Sequence, residues 1–155
     1  MANYKSTKIF DNFSVALRQH KAQHSHCQLL HGYAFKIKVW FESKEFETDK
    51  MLDEMNWIVD FGLFGRNGLK DWLNHMFDHT LLIEKDDPQL ESFKVLEELG
   101  LCHLRIMDRM GAESLAKLVY DKFTDVFDKT EGGRIMVSKV EVFENDKNSG
   151  IYEGF

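Results

Sequence analysis

Chemistry is concentrated in one short stretch, Cys27-Gln28-Leu29-Leu30-His31-Gly32-Tyr33. Its thiol is one of two cysteines in the chain, His26 sits beside it, and His24 and His20 lie just upstream. Four of the seven histidines therefore fall between positions 20 and 31. A thiol becomes a base or nucleophile when nearby cations or a metal lower its pKa. The same residues also suit a plain loop with a buried cysteine and surface histidines. Asp78-His79 is a second candidate, because a carboxylate beside an imidazole fixes its tautomer and raises its pKa; a solvated loop pair is the ordinary alternative. Glu144 ends an apolar strand, where a carboxylate could grip a guanidine-like edge through two parallel hydrogen bonds. Glu113 opens a helix, where the helix dipole already favours a negative charge. Cys102 lies in an apolar stretch and reads as core.

Alternating and helical patterns position these residues. Ser6 to Ala16 is predicted as a strand, with Ile9, Asp11, Phe13 and Val15 on one face and Phe10, Asn12, Ser14 and Ala16 on the other. Arg18 to Cys27 is a polar loop. Ala34 to Glu42 is a second strand with Phe35, Ile37, Val39 and Phe41 on one face. Gly62 to Met76 has helical spacing through Leu69, Trp72, Leu73 and Met76. Pro88 starts a helix running to about Leu99, with Gly100 as its stop. Leu101 to Met107 is a short strand. Ala112 to Phe127 carries a stripe of Leu115, Leu118, Val119, Phe123, Val126 and Phe127. Arg134 to Glu144 is the last strand, with Val140, Val142 and Glu144 on one face. This order predicts an α+β domain, residues 1–155, with helices packed on one face of an antiparallel sheet.

Composition narrows the function. A formal charge of -6 argues against a nucleic-acid surface, which needs clustered Lys and Arg. No apolar run approaches the ~20 residues of a membrane span, and the N-terminus lacks the apolar core of a signal peptide. Two cysteines without such a segment point to free thiols in a reducing, cytoplasmic setting.

Phe13-Ser14-Val15-Ala16-Leu17, then Cys27 and His31-Gly32-Tyr33, then Val59-Asp60-Phe61, Asp78-His79, Gly111-Ala112-Glu113-Ser114-Leu115-Ala116, Val142-Phe143-Glu144 and Gly150-Ile151-Tyr152 follow one another along nearly the whole chain. In this order they resemble the 6-pyruvoyl-tetrahydropterin synthase family, which includes the 6-carboxy-tetrahydropterin synthases of queuosine biosynthesis. The resemblance implies a tunnelling fold, with a four-stranded antiparallel sheet and two helices, assembled into homo-oligomeric barrels. It implies 7,8-dihydroneopterin triphosphate as substrate, Cys27 as the proton-transferring thiol with Asp78 and His79 as relay, Glu144 on the pterin edge and Glu113 as a further contact. The alternatives are the 6-pyruvoyl type of phosphate elimination and a pterin- or purine-binding protein that has lost the reaction.

Three departures stand out. The family's first zinc histidine falls on Leu17, its third on Tyr33, and the usual Pro-Thr-x-Glu reads Met110-Gly111-Ala112-Glu113. The segment from about Asp86 to Arg109 is also longer than the resemblance implies. Of the zinc ligands only His31 remains. His24 and His26 alternate in the loop and point to one side if it is extended, so zinc, if bound, is expected on His31 with help from His24 or His26.

Overall fold

The computed structural model describes residues 2–154. Six strands form one sheet: β1 (Lys5–Leu17), β2 (His31–Ser43), β3 (Thr80–Glu84), β4 (Leu104–Met107), β5 (Ile135–Phe143) and β6 (Ser149–Glu153), in the order β4-β3-β1-β2-β5-β6. The run β1-β2-β5-β6 is antiparallel throughout. The sheet is thus two strands wider than the expected four, because β3 adds to β1 and β4 to β3, both in parallel. The helices are α1 (Leu63–Arg66), α2 (Leu69–Phe77), α3 (Leu90–Glu98) and α4 (Ala112–Lys129). None of them is long and apolar enough to cross a membrane.

β1 departs from simple alternation. Phe10 pairs with Ile37 and Phe13 with Phe35, so β1 carries one extra residue in between. Asn12 takes up the strain in the left-handed region, φ 64°, which Asn tolerates better than most residues. The bulge turns Phe10 inward beside Phe13, Val15 and Leu17, while Ile9 and Asp11 face outward. The expected grouping of Ile9 and Asp11 with Phe13 and Val15 is corrected accordingly. On β2 the alternation holds, with Phe35, Ile37, Val39 and Phe41 all buried.

The expected helix over 62–76 breaks in two at Asn67-Gly68, where Gly68 has φ 82° and the Asn67 side chain accepts the Leu69 N–H at 3.1 Å. α4 buries Ala112, Leu115, Ala116, Val119, Phe123 and Phe127 against the sheet; Leu118 and Val126 sit at the margin of this stripe. The main core lies between the sheet and α1, α2 and α4. β3 is buried along its whole length. Its Leu82 faces the main core, whereas Leu81 and Ile83 join Leu104 and Phe93 of α3 in a second cluster. α3 therefore covers the other face, and burial on both faces suits a parallel strand.

Candidate active site

The end of the β1–β2 ladder gathers the main candidates. Leu17 pairs directly with His31, and Val15 with Tyr33. His31, Tyr33 and Phe35 are two apart and share the core-facing side. Tyr33 stacks on Phe35 at 6.1 Å and meets the His31 ring edge-on at 5.1 Å. The polar loop before β2 folds back on itself: Cys27 carbonyl accepts the Gln19 N–H at 2.7 Å, and the Cys27 N–H reaches Ser25 Oγ at 3.1 Å. Arg18 locks this loop from below. Its guanidinium grips Asp87 through two bonds of 2.6 Å and donates to the Gln28 carbonyl at 3.3 Å. That pair holds the Asp87 carboxyl below its usual range despite burial.

Glu144 follows β5 on the same face as Val140 and Val142 and is half-buried. With Leu17, Gln19, Phe35, Met110, Gly111, Ala112 and Leu115 it lines a tight crevice with no room for a water-sized sphere. Burial raises the Tyr33 phenol pKa, with the neighbouring Glu144 carboxylate and then Cys27 adding to the effect. Tyr33 thus lies near both the thiol and the carboxylate. A wider concavity of about 590 Å³ shares Gln19 and Met110 with the crevice and adds Lys21, Arg109 and Ser114, with Glu84 at one side. Glu113 is exposed on the first turn of α4, near Gly111.

Gly150 sets this end of the helix. A Cβ there would lie 2.6 Å from the Ala112 carbonyl carbon and 2.8 Å from Ala112 Cβ, so β6 rests directly on the start of α4. A glycine inside a strand pattern marks such close approach, and that signal was present in the sequence. Gln19, Arg109 and the Arg18–Asp87 lock carried no comparable local signal.

Asp78 and His79 are tied to β1 through Ser14. Asp78 accepts the Ser14 N–H at 3.1 Å, which holds its carboxyl below the usual range, and His79 Nδ1 is 3.1 Å from Asp78 Oδ1. The His79 N–H donates to the Ser14 carbonyl at 2.7 Å, with His79 at φ 56°. Its imidazole is 78% exposed. The recorded hydrogen bonds and ion pairs of these two side chains reach neither Cys27 nor Glu144.

The histidines expected to help His31 hold a metal come from the loop before β2. His24 and His26 are exposed. Among the described residues the one group of three candidate ligands is His20, Glu84 and Asp86. Lys21 already binds both carboxylates there, at 3.3 and 3.0 Å. At the family's zinc positions stand a buried leucine, 4% exposed, an imidazole and a phenol kept protonated. A catalytic zinc takes about three protein ligands, and this donor set does not fit it.

The sequence matches the 6-pyruvoyl tetrahydropterin synthase family over residues 6–154. The chain belongs to that family. Curated relatives include the 6-carboxy-5,6,7,8-tetrahydropterin synthases of Rickettsia typhi, 33% identical over 64 residues, and Rickettsia felis, 31% identical over 64 residues. Each match spans 41% of this chain and 41% of the relative. Among solved structures, an uncharacterized protein of Wolinella succinogenes superposes with a TM-score of 0.78 at 20% identity over all of both chains. The 6-pyruvoyl tetrahydropterin synthase of Caenorhabditis elegans gives 0.65 at 18% identity, covering 100% of this chain and 98% of its own. Both share the fold, which is the tunnelling architecture of the family.

Proposed function

We propose that this chain is a cytoplasmic lyase of the 6-carboxy-tetrahydropterin synthase type, acting on 7,8-dihydroneopterin triphosphate as one domain over its whole length. The observation that carries the reading is the end of the β1–β2 ladder, where His31 packs edge-on to Tyr33, the Cys27 loop leads into β2, and Glu144 with Leu17 and Phe35 meets the start of α4. Glu144 anchors the guanidine-like edge of the pterin by paired hydrogen bonds, and Glu113 adds a contact at the rim. The adjoining concavity offers Arg109 to the phosphates. Cys27 transfers the proton next to the polarised carbonyl or hydroxyl.

Asp78 and His79, paired at 3.1 Å with the imidazole exposed, serve as the proton relay with Cys27. A homo-oligomer answers the open sheet edges at β4 and β6, where Ile106 and Ile151 are exposed. The relatives named 6-carboxy-tetrahydropterin synthase support a place in queuosine or pterin biosynthesis over the 6-pyruvoyl reaction. No step is assigned to zinc, because the donors at the family position do not fit it. A second reading, a pterin-binding protein without turnover, draws on the same Leu17 and Tyr33. Incubation with 7,8-dihydroneopterin triphosphate and mass spectrometry separates these outcomes. A 6-carboxy product supports the proposal, a 6-pyruvoyl product replaces it, and unchanged substrate recovered bound to protein favours the second reading.

A further inference from the structure

A second set of donors gathers at the far end of the parallel β1–β3 pair, and none of them is Leu17, His31 or Tyr33. Leu17 lies opposite Leu82 in that pair, so the chain leaves both strands at the same end. His20 follows in the loop after β1, Glu84 ends β3, and Asp86 stands in the turn before α3. One ligand atom from each of these three lies within 4.8 Å of the other two.

His20 sets this cluster apart from an ordinary ion-pair network. Its side chain is only 11% exposed, yet Nδ1 is buried with no hydrogen-bond partner among the described residues. A buried polar nitrogen normally finds one. The carboxylates around the ring stand off from it. Glu84 Oε2 and Asp87 Oδ2 lie 3.7 and 3.9 Å from Nδ1, and Asp86 Oδ1 lies 3.8 Å from Nε2. These separations are too long for hydrogen bonds. They are close to the roughly 3.4 Å between two ligands of a tetrahedral zinc whose bonds are about 2.0–2.2 Å.

Lys21 does not fill the gap. Its ammonium takes Glu84 Oε1 at 3.3 Å and Asp86 Oδ2 at 3.0 Å, the other oxygen of each carboxylate. Asp87 is engaged by Arg18 and by the Gln89 N–H. Glu84, Asp86 and Asp87 together outweigh Arg18 and Lys21 by one negative charge. The Glu84 side chain is nine-tenths buried, where a carboxylate is paired or coordinates a metal.

We infer that His20, Glu84 and Asp86 hold a divalent metal of the zinc class, which clamps the loop leading to Cys27 onto the end of β3. One imidazole and two carboxylates are donors that zinc accepts. Glu84 also lines the 590 Å³ concavity, from which water reaches the remaining coordination position. The site stands on its own donors and does not depend on the pterin reading.

The experiment titrates zinc by calorimetry into untagged, full-length protein stripped with chelator, and reads Tm with and without the ion. Wild type is expected to bind about one zinc per chain and to gain at least about 5 °C at saturation. Asp86 is exposed, so Asp86→Ala should keep the metal-free Tm near wild type. It should weaken zinc at least about 10-fold, and His20→Gln should do the same and lose the gain in Tm. His24→Ala with His26→Ala should bind zinc as wild type does. Absence of zinc binding to wild type would overturn the inference and leave an imidazole among carboxylates. Unchanged affinity in Asp86→Ala or His20→Gln would place the ion on other donors and overturn it too, as would loss of zinc in the His24, His26 double variant.

Discussion

Asp87→Asn is expected to destabilise the protein by about 2 kcal/mol at neutral pH. The Asp87 side chain is fully buried, and both of its oxygens bind the Arg18 guanidinium at 2.6 Å. It also accepts the Gln89 N–H at 2.8 Å, which ties the turn before α3. Removing one partner of a fully buried pair costs about 3–5 kcal/mol. Arg18 keeps one fifth of its side chain exposed, and the amide retains one acceptor, so water and the remaining bond recover part of that cost. A loss of about 2 kcal/mol lowers Tm by about 4–8 °C in a chain of this size. Urea unfolding of both proteins at pH 7 gives the difference directly.

The pH dependence has a definite sign. The Asp87 carboxyl lies below its unfolded value in the native state, chiefly through the hydrogen bond to Arg18. Its contribution is complete above the unfolded carboxyl pKa of about 4 and fades as pH falls through the lower native value. The gap between wild type and Asp87→Asn should therefore shrink in acid. Arg18 also holds the Gln28 carbonyl beside Cys27, so alkylation of Cys27 should be faster in the variant at neutral pH. A stability difference near zero at pH 7, or one that widens on acidification, would refute this account of the lock.

Cys27→Ala should abolish turnover while circular dichroism and Tm stay near wild type; wild-type rates would remove the thiol from the mechanism. Glu144→Gln should weaken pterin binding by at least ~2 kcal/mol, on the order of 30-fold in Kd, and unchanged calorimetry would displace Glu144 from the site. Gly150→Ala forces a Cβ against Ala112 and should cost about 1–3 kcal/mol in urea unfolding; a neutral result would show that β6 yields there. Light scattering at micromolar concentration should report a homo-oligomer, and a lone 18.2 kDa species would contradict it.

Much of the fold was legible because period and burial agree. On β2 Phe35, Ile37, Val39 and Phe41 alternate and are buried, and on α4 the stripe from Leu115 to Phe127 faces the sheet. β3 was harder to read. Thr80-Leu81-Leu82-Ile83 lacks alternation because both faces are covered, and such short runs cannot be told from helix by period alone. β6 was hidden for the opposite reason: Ser149-Gly150-Ile151-Tyr152 is short, and its one fully buried residue is a glycine. The break between α1 and α2 follows from Asn67-Gly68, a turn pair within an otherwise helical pattern.

The site was legible in residue type and less so in placement, and one backbone irregularity accounts for much of the difference. Had β1 continued from the Phe10–Ile37 pair without its extra residue, Leu17 would face position 30, and its side chain would leave the core side that Phe10 occupies. The bulge at Asn12 moves the register by one. Leu17 then pairs with His31 on the core face, in line with Val15 and Tyr33. No local pattern around Leu17 announces this, because the cause lies five residues earlier in an Asp-Asn pair that reads simply as polar. The same bulge turns Phe10 against Phe64 and Phe123, with ring centroids 5.2 and 5.9 Å away. Packing of the core and alignment of the site therefore depend on one left-handed residue, and the sequence shows that residue only as an asparagine where a strand should have been regular.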